Sequence, residues 1–191
     1  MYITDGRIQA AVAAGRIVIG IIFLWAGLAK AIGAGLGTWN ADGFLQFATT
    51  GSLGWPFVSG EPAEGQVFNP THDFWASIPG TTFGTIIARL VPLGQLGIGV
   101  GLILGLLTRF SAAMGTLIML FLAVAAWDFQ FGIVNQHLTY AVATFGLAVL
   151  GAGNYFGLDR SVGQMVSPGL RWWLFSGDPH DVEPASYRSA A

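Results

Sequence analysis

The chain has 191 residues, of which 53% are hydrophobic and only 9% charged, and its mean hydropathy is +0.63. An average soluble domain carries about 25% charged residues, so these values exclude an ordinary water-soluble domain and point to an integral membrane protein. A net charge of −2 gives no reason to expect nucleic acid as a partner, and the absence of cysteine excludes disulfides, thiolate catalysis and Cys-ligated iron–sulfur clusters within the chain.

Four runs are long enough to cross a bilayer, which takes about 20 residues for roughly 30 Å of hydrocarbon. A spanning backbone must satisfy its own hydrogen bonds, so each run reads as a helix. The first covers residues 10–32 (AAVAAGRIVIGIIFLWAGLAKAI). Its apolar part is too long for a signal peptide and it contains Arg16. Residues 33–84 follow as a long loop that holds Trp39, Phe44, Phe47, Trp55, Phe57, Phe68, Phe74 and Trp75. Long structureless loops are uncommon in compact domains. The loop is therefore expected to be ordered and to lie as a lid over one end of the bundle. Short interfacial helices are predicted near Asp42 and in THDFWASI, the second capped by Thr71.

The second run, residues 85–107, contains Pro92, which frees the carbonyl of Ala88 beside Arg89. The tight link LLTRFS makes it an antiparallel neighbour of the third run, residues 110–127. The fourth run covers residues 138–156. Between the third and fourth lies AWDFQFGIVNQHLTYAV, which places Asp128, Asn135 and His137 close together. Beyond the fourth run, SPGLRWWLF predicts a short membrane-surface helix. Ser167 would be its N-cap, Pro168 its first residue, and Trp172 and Trp173 would sit at headgroup level. A polar tail completes residues 160–191. The predicted fold is all-α: one membrane domain over residues 1–191, built as a four-helix bundle.

Charge sets the expected orientation. Arg7, Arg16, Arg109, Arg160, Arg171 and Arg188 fall on the side of the two termini and the second link. The long loop has no Lys or Arg but has Asp42, Glu61, Glu64 and Asp73. The positive-inside rule then places both termini in the cytoplasm and the aromatic loop outside, as in a bacterial or archaeal cytoplasmic membrane. Gly97, Gly101 and Gly105 recur every fourth residue, as do Gly153 and Gly157. Small residues at that spacing allow close helix contact, either within the bundle or with other subunits or a second copy of the chain.

Ionisable residues within membrane segments are costly, at about 2.5–3.5 kcal/mol each near the centre. Arg16 and Lys30 share a face of the first helix to within about 40° and stand roughly 21 Å apart along it. Arg16 belongs to the cytoplasmic half and reads as a phospholipid or helix-end contact. Lys30, Arg89, Asp128 and His137 each come from the outer end of a different helix. One reading pairs Asp128 with Lys30 or Arg89 and leaves His137 at a helix end. The other makes the four a site. His137 and Asp128 would then handle a quinone carbonyl and its proton. Lys30 and Arg89 would hold an anionic substrate or a developing quinolate charge. No haem, iron–sulfur or metal-binding motif is present in the sequence.

Several stretches are similar to the DoxX/DoxD-like membrane family. These are RIVIGIIFLWAGLAK, GFLQFATTGSLGWPF, PLGQLGIGVGLILGLLTRFSA and NQHLTYAVATFGLAVLGAGNYFGLDR. Together they cover roughly Arg16 to Arg160. The resemblance implies a four-helix membrane protein. Its DoxD branch implies a thiosulfate:quinone oxidoreductase subunit, in which thiosulfate is oxidised and a membrane quinone reduced. On the matching positions the polar residues are Arg16, Lys30, Arg89, Asp128 and His137. Nothing in the chain looks like the DoxA part with which a DoxD part is paired. The expected function is therefore a quinone-linked oxidoreductase subunit, or else a non-catalytic accessory subunit of a larger respiratory or other membrane assembly.

Overall fold

The first helix, α1, runs from Gly6 to Gly33. It starts four residues earlier than the apolar run because Asp5 caps it. The Asp5 carboxylate accepts the N–H of Arg7 at 2.8 Å while its carbonyl opens the helical ladder to Gln9. The computed structural model describes residues 3–33, 41–42, 44–48, 50–51, 63–127 and 134–176. All regular structure among them is helical.

The segment between the first two predicted spans contains a π-helical turn over Phe44–Ala48 and a short helix, α2, over His72–Ala76. Thr71 precedes α2, but its hydroxyl makes no capping bond to the helix, contrary to expectation. It instead accepts the indole N–H of Trp75 at 3.0 Å and donates to Asn69 Oδ1 at 2.8 Å. Helix α3 covers Thr82–Leu104, capped by Thr81, whose Oγ1 accepts the N–H of Gly84 at 3.0 Å. Pro92 lies inside α3 without ending it.

The C-terminus of α3 is a Schellman motif. Gly105 takes φ +63, its N–H bonds to Leu102 O, and the N–H of Leu106 reaches back to Gly101 O at 2.9 Å. Helix α4 follows over Thr108–Ala125 and α5 over Gln136–Val149. The fourth predicted run extends to residue 156, but α5 stops at Val149, where Gly151 turns left-handed with φ +61. The rest of that run is a 3₁₀ turn over Ala152–Asn154. Helix α6 (Asp159–Val162), a 3₁₀ turn and α7 (Pro168–Leu174) follow. Pro168 takes the first position of α7, but Ser167 forms no side-chain cap.

Among the described residues three helices, α1, α3 and α4, are long and apolar enough to span a membrane. With 14 residues, α5 reaches only about 21 Å. The outward faces of the three spans carry Ile21, Trp25, Leu90, Leu93, Leu117 and Phe121, all exposed. That much bare apolar side chain fits a hydrocarbon solvent rather than water.

The chain divides into two compact units. The first comprises Met1–Leu24, Gly97–Met114 and Ala143–Ala191, the second Trp25–Leu96 and Gly115–Val142. In both, glycines let α1 and α3 meet backbone to backbone. In the first unit, a Cβ on Gly99 would stand 2.5 Å from Leu24 N, and one on Gly20 would stand 2.9 Å from Ile103 N. In the second, a Cβ on Gly27 would stand 2.9 Å from Leu96 N. The expected Gly97–Gly101–Gly105 face is not the contact. Gly97 is exposed with nothing within 4 Å, Gly101 faces Ser111, and Gly105 serves the helix end. The second unit also has a core of Ala41, Leu45, Trp75, Ile78 and Ala125, so parts of the aromatic segment are packed.

Candidate functional site

The polar residues expected at one end of the bundle belong to the second unit. Lys30 lies in the last turn of α1, half-buried, and its Nζ donates to the carbonyl of Ala26 at 3.1 Å. Arg89 lies exposed on α3. His137 is the second residue of α5 and half-buried. Asp128 falls outside the described residues. The structure therefore places Lys30, Arg89 and His137 in one unit.

Asn135, from the same polar stretch, has a clear structural part that the sequence did not assign. Its Oδ1 accepts the N–H of Leu138 at 2.9 Å and so caps α5. Its Nδ2 donates to the carbonyl of Ala123 at 3.0 Å. One side chain thus closes the end of α4 and opens α5. Asn69 does similar work from the other side. It is buried, and its Nδ2 bonds the carbonyl of Ala125 at 2.7 Å and that of Val124 at 3.3 Å. The last carbonyls of a helix lack intrahelical partners, and these two amides supply them.

Next to this junction the second unit forms an apolar groove of about 460 Å³. Pro70, Thr71, Phe74 and Trp75 line one wall, and Leu117, Leu120, Phe121 and Val124 of α4 line the other. The rings of Trp75 and Phe121 meet edge to face at 6.2 Å, and those of Phe74 and Trp75 at 4.9 Å. The groove's polar edge is already engaged. The Thr71 hydroxyl takes the indole N–H, and the carbonyl of Val124 is held by Asn69.

The first unit contains a different cluster. Arg16, expected as a phospholipid or helix-end contact, has no exposed area at all. Its Nη1 and Nη2 donate to the carbonyls of Ala152 and Phe156, each at 3.1 Å. Phe156 takes φ +51, a conformation rare for a bulky residue. Gly105 and Gly157 form the seat, and a Cβ on either would collide with the guanidinium. Beside it lies Asp159, 1% exposed. Its carboxylate accepts the N–H of Thr108 at 3.2 Å, at the positive end of α4, and that of Ser176 at 3.0 Å. Burial pushes the Asp159 carboxyl above its ordinary range, and the hydrogen bonds from Ser176 and Thr108 pull it part of the way back.

Sequence reasoning missed Asp159. The available signal was its place after GAGNYFGL, where closely spaced glycines mark crowding around a polar group. Through Arg16 the cluster ties α1 to the backbone of Ala152 and Phe156, and through Asp159 it ties the start of α4 to the backbone of Ser176, which is the chemistry of a clasp. Among the described residues no set of three His, Asp or Glu gathers to hold a metal ion.

Long apolar helices with uncovered outer faces define an all-helical integral membrane protein. The family model described as DoxX matches residues 11–130. The chain belongs to the DoxX family. The match includes Arg16, Lys30, Arg89 and Asp128 and stops before His137. No curated protein and no solved structure matches the chain.

Proposed function

We propose that the chain is the membrane subunit of a quinone-linked oxidoreductase of the thiosulfate:quinone type. The observation that carries this reading is the apolar groove beside the α4–α5 junction. Its aromatic walls suit the ring or isoprenoid tail of a quinone, and it lies on the segment that leads to His137. Val124 lines the groove, and the carbonyl of its neighbour Ala123 is bonded by Asn135, two residues before His137. A small set of polar groups at the mouth of an apolar pocket is the usual form of such a site.

In this reading His137 donates to one quinone carbonyl and exchanges protons near neutral pH. Asp128 orients His137 or passes the proton to water. Lys30 and Arg89 hold an anionic electron donor or stabilise the charge that develops on the reduced ring. Reduction takes up two electrons and two protons. The electrons come from the donor's oxidation on a partner subunit, and the protons through His137.

A second reading is a non-catalytic accessory subunit of a larger assembly. One observation favours it: the most deeply buried polar cluster, Arg16 with Asp159, is taken up by backbone atoms and holds segments together. Purification in mild detergent followed by quinone extraction separates the two. Stoichiometric quinone with a small partner supports the enzyme. A large complex that carries its own cofactors, with no quinone on this chain, supports the accessory subunit. Asp128→Asn combined with His137→Ala is expected to abolish quinone binding and leave the helical content intact. Unchanged quinone affinity in that folded double variant would remove the site.

A further inference from the structure

The first unit collects positive charge and exposed indoles on the same segments. Its described residues include Arg7, Arg16, Arg109, Arg160 and Arg171 against Asp5 and Asp159. Arg16 and Asp159 are buried in the clasp, which leaves Arg7, Arg109, Arg160 and Arg171 against Asp5 among the described residues, while residues 177–191 of the same unit add Asp178, Asp181, Glu183 and Arg188. The described part of the second unit has the opposite balance, with Lys30 and Arg89 against Asp42, Glu64 and Asp73.

Helix α7 carries the indoles. Trp172 is 57% exposed and Trp173 68%, and their rings meet edge to face at 4.9 Å. Leu170 and Met165 near them are also bare. Such a surface is ill suited to water. Nor does α7 cross a membrane, since seven residues reach only about 10 Å. An indole has an apolar body and a polar N–H edge, and it prefers the boundary between hydrocarbon and water.

Arg109 fixes the level. It is the second residue of α4, a membrane span, and so marks the end of that span. Its guanidinium lies 5.3 Å from the Trp172 ring centre, and Nη1 donates to the carbonyl of Trp172 at 2.7 Å. Cation and indoles are therefore tied together where a span meets the headgroup layer. A guanidinium has five N–H donors, so Arg109 keeps donors for a ligand after this bond. Arg160 stands exposed on α6, and Arg171 adjoins Trp172 in α7.

We propose that Arg109, Arg160 and Arg171, with Trp172 and Trp173, form a binding surface for anionic phospholipid headgroups. The arginines take the phosphate oxygens in the geometry guanidinium favours. The indoles lie against the glycerol and upper acyl region. The guanidinium groups select the ligand: Arg109 and Arg171 both adjoin Trp172, and a zwitterionic headgroup would bring its own cation against them.

The test uses the full chain in mild detergent, titrated separately with phosphatidylglycerol and phosphatidylcholine and read by native mass spectrometry. Phosphatidylglycerol is expected to bind in preference. Arg109→Gln with Arg160→Gln should lose that preference, at about fivefold per cation removed. Arg109 also steadies α7, so Arg160→Gln alone serves as the clean variant. It is expected to weaken phosphatidylglycerol binding, and Arg160→Lys to retain it. Equal binding of the two lipids by the native chain, or an unchanged preference in Arg160→Gln, overturns the proposal. So does a partner protein that occupies α7 and excludes lipid.

Discussion

Arg16 and Asp159 illustrate how a membrane protein keeps ions inside. A guanidinium costs several kcal/mol in hydrocarbon unless its donors are met. Here two carbonyls meet Nη1 and Nη2 of Arg16, and Nε is left without a partner among the described residues. Arg16→Ala strands those carbonyls and empties the glycine seat, so a loss of about 3 kcal/mol or more is expected. The thermal midpoint of the purified protein in detergent measures it. Arg16→Lys keeps the charge but loses the two-pronged fork and should recover only part. Asp159 adds a pH dependence. Its carboxyl titrates above the ordinary range, so the folded state binds this proton more tightly than the unfolded chain does. The contribution is fully present below the ordinary carboxylate value and is lost as pH rises through the raised one. The native chain should therefore gain stability relative to Asp159→Asn as the pH falls from about 7 to about 4. A midpoint difference that stays flat over that range would contradict the burial argument. Arg16 was visible in the sequence because a cation inside an apolar run stands out. Its partners were not, since backbone carbonyls leave no mark in a sequence. Asp159 was hidden because it lies beyond the apolar run, where an aspartate is unremarkable.

At the level of elements, three of the four predicted spans were legible and their ends were not. Apolar length marks a span within a few residues, whereas caps decide where the helix starts. Asp5 and Thr81 move the starts of α1 and α3 to Gly6 and Thr82. Gly151 stops α5 at Val149, although the apolar run continues. The glycines that let α1 and α3 meet were not picked out, for a related reason. Spacing shows which glycines share a face, but not which face meets a neighbour. Gly97 and Gly99 make the difference testable. Gly99→Ala would drive a Cβ into the backbone of Leu24, and no rotamer change relieves a backbone clash. A cost of about 2 kcal/mol or more is expected. Gly97→Ala meets nothing within 4 Å and should gain up to about 1 kcal/mol from helix propensity. Thermal midpoints of the two variants, measured side by side, should move in opposite directions. If both fall, the glycine contact has been assigned to the wrong face.

For the whole molecule, the open relation is between α5 and the bilayer. Charge argues for an even number of crossings. The arginine-rich first unit holds both the start of α1 and the residues after α5. By the positive-inside rule those belong together in the cytoplasm, with the acidic segment between α1 and α3 outside. Length argues the other way, because α5 covers about 21 Å of roughly 30 Å. The two are reconciled if the 3₁₀ turn after Gly151 carries the chain through the remaining depth. Backbone that is not α-helical is tolerated in a membrane only where protein covers it. That is the condition here, since Ala152, Gly153 and Tyr155 are all buried. The chain has no cysteine, so single cysteines can be placed at Glu64, Val134 and Ser161, each exposed. A membrane-impermeant maleimide then reports the side of each. Glu64→Cys and Val134→Cys are expected to react in intact cells, and Ser161→Cys only after the membrane is opened. Reaction of Ser161→Cys together with Val134→Cys would mean that α5 turns back, and the clasp would then lie on the outer side. That outcome would also place the arginine surface of α6 and α7 outside, against the positive-inside rule.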